Sequence, residues 1–376
     1  MSFGVIVSER TAPAAQGAPT DTGQCLVTGP VGTVPTTQPV LCRSVADFQA
    51  AYGARTGAVT AMWDWFDVAF REGLVEAYVA GYAAAGDYAT GFGLLDSRLG
   101  PGQVAVVGEP ASATLYAAIQ AHVDANNRIG LLDVGDGDTL TEITVHGDNA
   151  MALAKMENVG VFGSWVTCEG PPGVVASTGR NVPASAVIAG MCARVDQRGN
   201  PNRAAGGRDF PCQYVSGFEL DPDDTDRATC FQHGVNMFKD SYGVLENYGF
   251  QTPVAQSPNT PFWQLNCSRT RMYMKAQALA IGENYYMRTI DGQGRLAAQL
   301  GADLEVMCSQ LYQAGGLYGA TKSDAYNVNV SQNINTTDTV AQAQLHAVVQ
   351  ARLSQYAKAV LIDLVSVPVS GVVSSS

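Results

Sequence analysis

The chain is 376 residues long, enough for two domains with sizeable cores, because single hydrophobic cores stop growing at roughly 250–300 residues. Apolar residues make up 46% of it and charged residues only 15%, against roughly 25% in an ordinary soluble domain, a balance that suits a chain hiding surface in its neighbours. The net charge is −12, and the five lysines (Lys155, Lys239, Lys275, Lys322, Lys358) are scattered, which argues against DNA or RNA as a direct partner.

No apolar run approaches the ~20 residues that span a bilayer. The first ten residues, Met1 to Arg10, lack the basic and long apolar regions of a signal peptide, so synthesis in a cytoplasm and no membrane insertion are expected. Eight cysteines show no CxxC and no metal-like spacing; in a reducing compartment they read as small buried hydrophobes.

In chain order, residues 3 to 8 form a short β-prone run, followed by a loose Ala/Pro/Gly/Thr stretch from Thr11 to Gly23. A short strand on such a leash is poorly placed to join its own core and well placed to reach a neighbour. Leu26 to Pro30 reads as strand into turn. Ser44 caps a helix to Gly53 with Phe48 and Tyr52 one turn apart, and Ala58 to Gly73 carries Met62, Trp65, Phe66 and Phe70 at helical spacing. A βαβ unit follows: strand Val104 to Val107, a helix capped by Ser112 with Leu115, Ile119 and Val123 on one face, and strand Ile129 to Val134. Val159 to Val166 is a further strand and Ala184 to Val195 a helix. The alternation predicts an α/β layer with a partly parallel sheet.

The polar stretch Asp221 to Asp226 is read as a domain boundary. Beyond it, Ser268 to Gly282 and Gly294 to Ala314 are helical, the latter with Leu296, Leu300, Leu304, Met307 and Leu311 on one face and Gly315-Gly316 at its end. Tyr326, Val328 and Val330 alternate with polar residues, as in a half-buried strand. Val340 to Leu353 fits helix or strand. Ala359 to Val369 is strongly β-prone, and Ser370 to Ser376 is expected to be disordered. Strand-prone termini expose unpaired N–H and C=O groups that either pair within their own domain or recruit another chain unless charge or proline blocks them, and in the final strand only Asp363 and Pro368 offer blocking.

Nothing nominates a reaction centre. The four histidines (His122, His146, His233, His346) form no HxxxH or HExxH pair. There is no GxSxG elbow or GxxxxGK[ST] loop, and Gly135-Asp136-Gly137-Asp138 is a turn without the third glycine of a dinucleotide fingerprint. The acidic loops Asp133/Asp136/Asp138 and Asp221/Asp223/Asp224/Asp226 lack the full calcium-loop pattern and read as solvated turns and helix caps. Neither cofactor nor metal is expected.

Taken in order, these segments resemble the tail sheath proteins of contractile phages, R-type pyocin-like particles and related injection systems. The resemblance rests on Gly4-Val5-Ile6-Val7-Ser8-Glu9, on Val27-Thr28-Gly29-Pro30 with Arg43-Ser44, Asp47-Phe48 and Tyr52-Gly53, and on Val182-Pro183-Ala184-Ser185 through Ala189-Gly190, Ala193-Arg194 and Asp196. His233-Gly234-Val235-Asn236, Arg269 to Arg271 and Gly315-Gly316-Leu317-Tyr318-Gly319 extend it along nearly the whole chain. One motif departs: Glu246 to Pro253 lacks the arginine that the family often carries there.

The resemblance implies an α/β chain, mixed in the α+β sense, with two sheath-like domains and extended terminal strand arms. It divides into an N-terminal arm (1–22), an outer domain (23–225), an inner, tube-facing domain (226–357) and a C-terminal arm strand with its tail (358–376). It further implies a structural, non-enzymatic subunit that forms stacked six-subunit rings around a tail tube and contracts, meeting baseplate and tail terminator proteins in a phage tail or injection particle assembled in the host cytoplasm. Inter-subunit strand exchange would use Phe3, Gly4, Val5, Ile6, Val7 and Ser8, the strand residues Tyr326, Val328 and Val330, and Val360, Leu361, Ile362, Asp363, Leu364, Val365 and Val367. Arg194 and Asp196 read as local structural pairs. The rival readings are another self-assembling tail component, or a cytosolic α/β enzyme, which would need a convergent polar constellation.

Overall fold

A computed structural model describes residues 21–33, 38–171, 179–358 and 360. Its centre is an eight-stranded sheet. β1 (Cys25–Pro30), β2 (Val40–Cys42), β3 (Ala77–Tyr82), β4 (Gln103–Val106), β5 (Ile129–Asp133), β6 (Val159–Gly163), β10 (Val235–Asp240) and β11 (Leu245–Asn247) lie in the order β11-β10-β6-β5-β4-β1-β3-β2. The six central strands run parallel, and the short edge strands β2 and β11 are antiparallel to their neighbours.

Central strands read as continuous apolar runs because both sheet faces are covered. Period two decides which side each residue serves. Val27, Ala105, Leu131 and Phe162 join one core with α1 (Val45–Tyr52), α2 (Thr60–Arg71) and, later in the chain, α6 (Ala184–Gln197). Leu26, Val104, Val106, Leu132 and Val161 join the other, under α3 (Tyr88–Leu94), α4 (Ala113–Asn126), α5 (Leu140–Met151) and α7 (Asp224–Gln232). The expected caps form: Ser44 accepts from the Asp47 N–H and Ser112 from the Leu115 N–H.

α6 is buried on all sides from Ala184 to Ala193 and crosses α2 so closely that a Cβ built on Gly190 would stand 2.5 Å from the Glu72 Cβ and 2.9 Å from the Ala69 carbonyl oxygen. Small residues at this crossing are a packing requirement, which accounts for the alanine-rich run around Gly190. A three-stranded antiparallel sheet, β8-β7-β9, sits beside α6, formed by β7 (Val166–Cys168), β8 (Arg180–Val182) and β9 (Val215–Phe218). The single strand expected over 159–166 is therefore two strands in two sheets. Arg180 ties β8 to α2 by donating to the buried carboxylates of Asp64 and Asp67.

The boundary expected at Asp221–Asp226 is corrected by the sheet. β10 pairs in parallel with β6, and Phe238 enters the same core as Val27. The acidic stretch is the capped start of α7: Asp223 accepts from the Thr225 and Asp226 N–H groups, and Arg227 pairs with Asp221 and Asp224. A polar turn between two apolar elements marks a change of element as readily as a change of domain.

The core changes only at α8 (Leu265–Glu283). Its first half is buried in the large unit through Leu265 and Met272, whereas Tyr273, Met274, Ala278 and Ile281 pack on a separate small core. That core is built by α9 (Arg295–Gln313), through Leu300, Leu304, Met307, Cys308 and Leu311. Against it lie α10 (Lys322–Ala325), β12 (Tyr326–Asn329) and β13 (Val348–Ala351), with α11 (Thr337–Ala341) in the connection between the strands. The ambiguous stretch 340–353 resolves into the end of a helix, a loop and a strand.

Candidate functional site

Of the residues expected to exchange strands, Phe3, Gly4, Val5, Ile6, Val7 and Ser8, and Leu361, Ile362, Asp363, Leu364, Val365 and Val367, lie outside the described residues. Val360 is described and exposed. Tyr326 and Val328 stand on β12 and Val330 just beyond it.

β12 pairs antiparallel with β13, Tyr326 opposite Ala351 and Asn329 opposite Val348. One face rests on α9, where Val330 fills the space over Gly301: a Cβ built there would lie 2.8 Å from a Val330 methyl carbon. The long connection is closed by Asn335, whose side chain donates to the His346 carbonyl at 2.9 Å and accepts from the His346 N–H at 2.7 Å. Among the described residues this sheet has two strands, so each has an edge without a strand partner. An isolated two-stranded ribbon is marginal in water and its edges recruit further strands.

Both ends of the described chain are fastened to the body. Thr22 donates its hydroxyl to Asp196 at 2.6 Å, and the same carboxylate accepts from the fully buried Arg269 at 3.0 Å, so the start of β1 is pinned to α6 and α8 together. Arg194 pairs instead with the buried Glu72. Arg194 and Asp196 thus form structural pairs within the chain, with partners distant in sequence, because a helix buried on all sides presents its few charges to other elements.

At the other end, Gln264, itself fully buried, brackets Tyr356 with two bonds, accepting from its N–H at 3.0 Å and donating to its carbonyl at 2.9 Å. Asn202 donates to the Ser354 carbonyl at 2.7 Å, and the Tyr356 ring lies tilted beside Trp263. Ser354 to Lys358 thus lines a groove of about 1040 Å³ together with Phe210, Tyr248 and Val360. Thr22, Asn202 and Gln264 carry no sequence signal, since a lone polar residue gains meaning only when folding brings its backbone partner alongside.

Two buried carboxylates elsewhere serve structure. The Asp133 carboxylate accepts from the Ser185 N–H at 2.7 Å and so caps α6. Glu72 accepts from the N–H groups of Gln213 and Tyr214. Seven of the eight cysteines are buried, and Cys212 is half-buried.

No protein-family model matches the sequence, and neither does any curated protein. Solved structures match along most of the chain. A chain of the anti-feeding prophage baseplate in its contracted state is similar with a TM-score of 0.73 and 15% identity, covering 96% of this chain and 99% of that one. The contracted sheath complex of the PVC extracellular contractile injection system gives 0.71 and 14%, over 97% and 98%. The sheath tail protein of Desulfitobacterium hafniense gives 0.55 and 10%, over 87% and 93%. The mixed α/β fold of this chain is similar to that of contractile sheath proteins over nearly its whole length.

Proposed function

We propose that this chain is the structural subunit of a contractile sheath, which assembles with copies of itself as stacked six-subunit rings around a tail tube and contracts to drive that tube forward. The observation that carries this reading is coverage: the contracted PVC sheath structure matches 97% of this chain with 98% of its own. A non-enzymatic role agrees with side chains that are spent on caps and internal ties.

In this reading the β12–β13 ribbon is the acceptor. Phe3 to Ser8 from one neighbour and Val360 to Val367 from another would add strands to its edges, with main-chain bonds supplying strength and alternate apolar side chains supplying register. Burying residues such as Ile6, Leu361 or Ile362 would contribute about 1.5–3 kcal/mol each. The ties at Thr22 and Tyr356 mean that a pull reaching either point is delivered to α6 and α8. Subunits would then rotate as nearly rigid bodies while the strand links persist, the free energy coming from new contacts between bodies and not from a nucleotide. Tube, baseplate and tail terminator proteins are the partners this implies, in a contractile particle assembled in a host cytoplasm.

Negative-stain electron microscopy of the protein expressed alone tests the reading. Long hollow cylinders are expected from the full chain, and folded subunits without long cylinders from a chain lacking Met1 to Arg10. Cylinders of normal length from that deletion would refute the strand-exchange role, and monomers from the full chain at high concentration would refute the assembly itself.

A further inference from the structure

A second, smaller cavity of about 220 Å³ lies where α8 meets the large unit, between the end of α4, the start of β5 and the segment after α5. Ser268, Arg271 and Lys275 face it from successive turns of α8, and Lys155 approaches from the opposite wall. Ser268 is 1% exposed, yet its hydroxyl has no hydrogen-bond partner. A buried hydroxyl left unbonded costs about 1–3 kcal/mol, so this one is poised for a group that the protein itself does not supply.

The charges point the same way. Among the described residues no carboxylate lies within ion-pair distance of Lys155 or Lys275. Two carboxylates line the cavity, but Asp124 is engaged by the Asn158 amide at 3.1 Å and Glu157 stands 3.9 Å from Arg271. Arg271 donates to the Asn158 side chain and lies over the Phe262 ring, and burial lowers its guanidinium from its usual value despite the nearby acids. The walls are held in place independently: Asn127, in the left-handed conformation that ends α4, donates to the Met272 carbonyl at 3.0 Å.

We propose that this pocket binds a small oxyanion of the phosphate type, held by Lys155, Arg271 and Lys275 and by the hydroxyl of Ser268. The volume takes a phosphate and a few waters at roughly 30 Å³ each. Bound there, the anion fastens α8 to the large unit just before α8 passes into the small core. The site lies within one chain and does not depend on the sheath reading, so a failed titration leaves the assembly result standing, and the reverse.

The test is calorimetric titration of the full chain with inorganic phosphate, at ionic strength held constant with sodium chloride. Saturable one-site binding is expected, weakened about tenfold by Lys275→Gln and again by Lys155→Gln, each removing one charge-assisted contact. Ser268→Ala should weaken it as well. Lys322→Gln, which touches only Ser309 of the small unit, should leave it unchanged. Both cavity lysines are exposed, so their variants fold whatever Ser268→Ala does. Heat no greater than that of chloride, equal binding of acetate, or phosphate binding that survives Lys155→Gln/Lys275→Gln would overturn the proposal.

Discussion

At the scale of single residues, Asp133 shows how one side chain serves folding and carries a pH dependence with it. It stands at the end of β5 and caps α6 through the Ser185 N–H, and burial lifts its carboxyl from 3.8 to about 7. Below pH 3.8 the group is protonated in both folded and unfolded chains. As pH rises towards 7 the unfolded chain ionises first, so the stability tied to the neutral form is progressively lost. Asp133→Asn keeps an acceptor for Ser185 and removes the titration. It should therefore match the wild type near pH 4 and exceed it by about 1–2 kcal/mol at pH 8, read from urea melts across that range. A wild type that gains stability on Asp133 ionisation would show the opposite slope. The sequence did place Asp133 in an acidic turn, but its capping role depends on α6, some fifty residues further on.

Elements were legible where periodicity was strong and packing followed it. The helices with clean apolar faces, such as α4 and α9, lie where their spacing puts them. So do the central strands, whose two-sided burial leaves an unmistakable apolar run. β13 was not legible, because Val348–Ala351 mixes valine with Gln and Ala and becomes a strand only by pairing with β12. That ribbon can be tested without disturbing the large unit. Gly301→Leu would drive a side chain into Val330 and lift β12 from α9. Overpacking of this kind costs about 1–3 kcal/mol, borne by the small core. The expected outcome is a folded subunit, with unchanged melting of the large unit by circular dichroism, that forms few or no cylinders in the microscope. Cylinders at wild-type yield would mean that the ribbon is not the acceptor.

For the whole molecule, the net charge of −12 bears on association rather than on fold. Copies of an acidic chain repel one another, and salt shortens the range of that repulsion from about 30 Å at 0.01 M to about 8 Å at 0.15 M. Light scattering should therefore report faster and more extensive polymerisation as sodium chloride rises through this range; slower polymerisation would mean that salt-sensitive attractions dominate the contacts. The sequence by itself determined the α/β class, most of the helices and central strands, and the ordered motifs that resemble sheath proteins, because these depend on patterns repeated over neighbouring residues. Only the tertiary structure decided that β10 belongs to the large sheet, that α8 is shared by two cores, and that Thr22, Asp196 and Arg269 meet. Each of those facts joins residues far apart in the chain, where a partner's identity leaves no local trace and is set by which surfaces must be buried together.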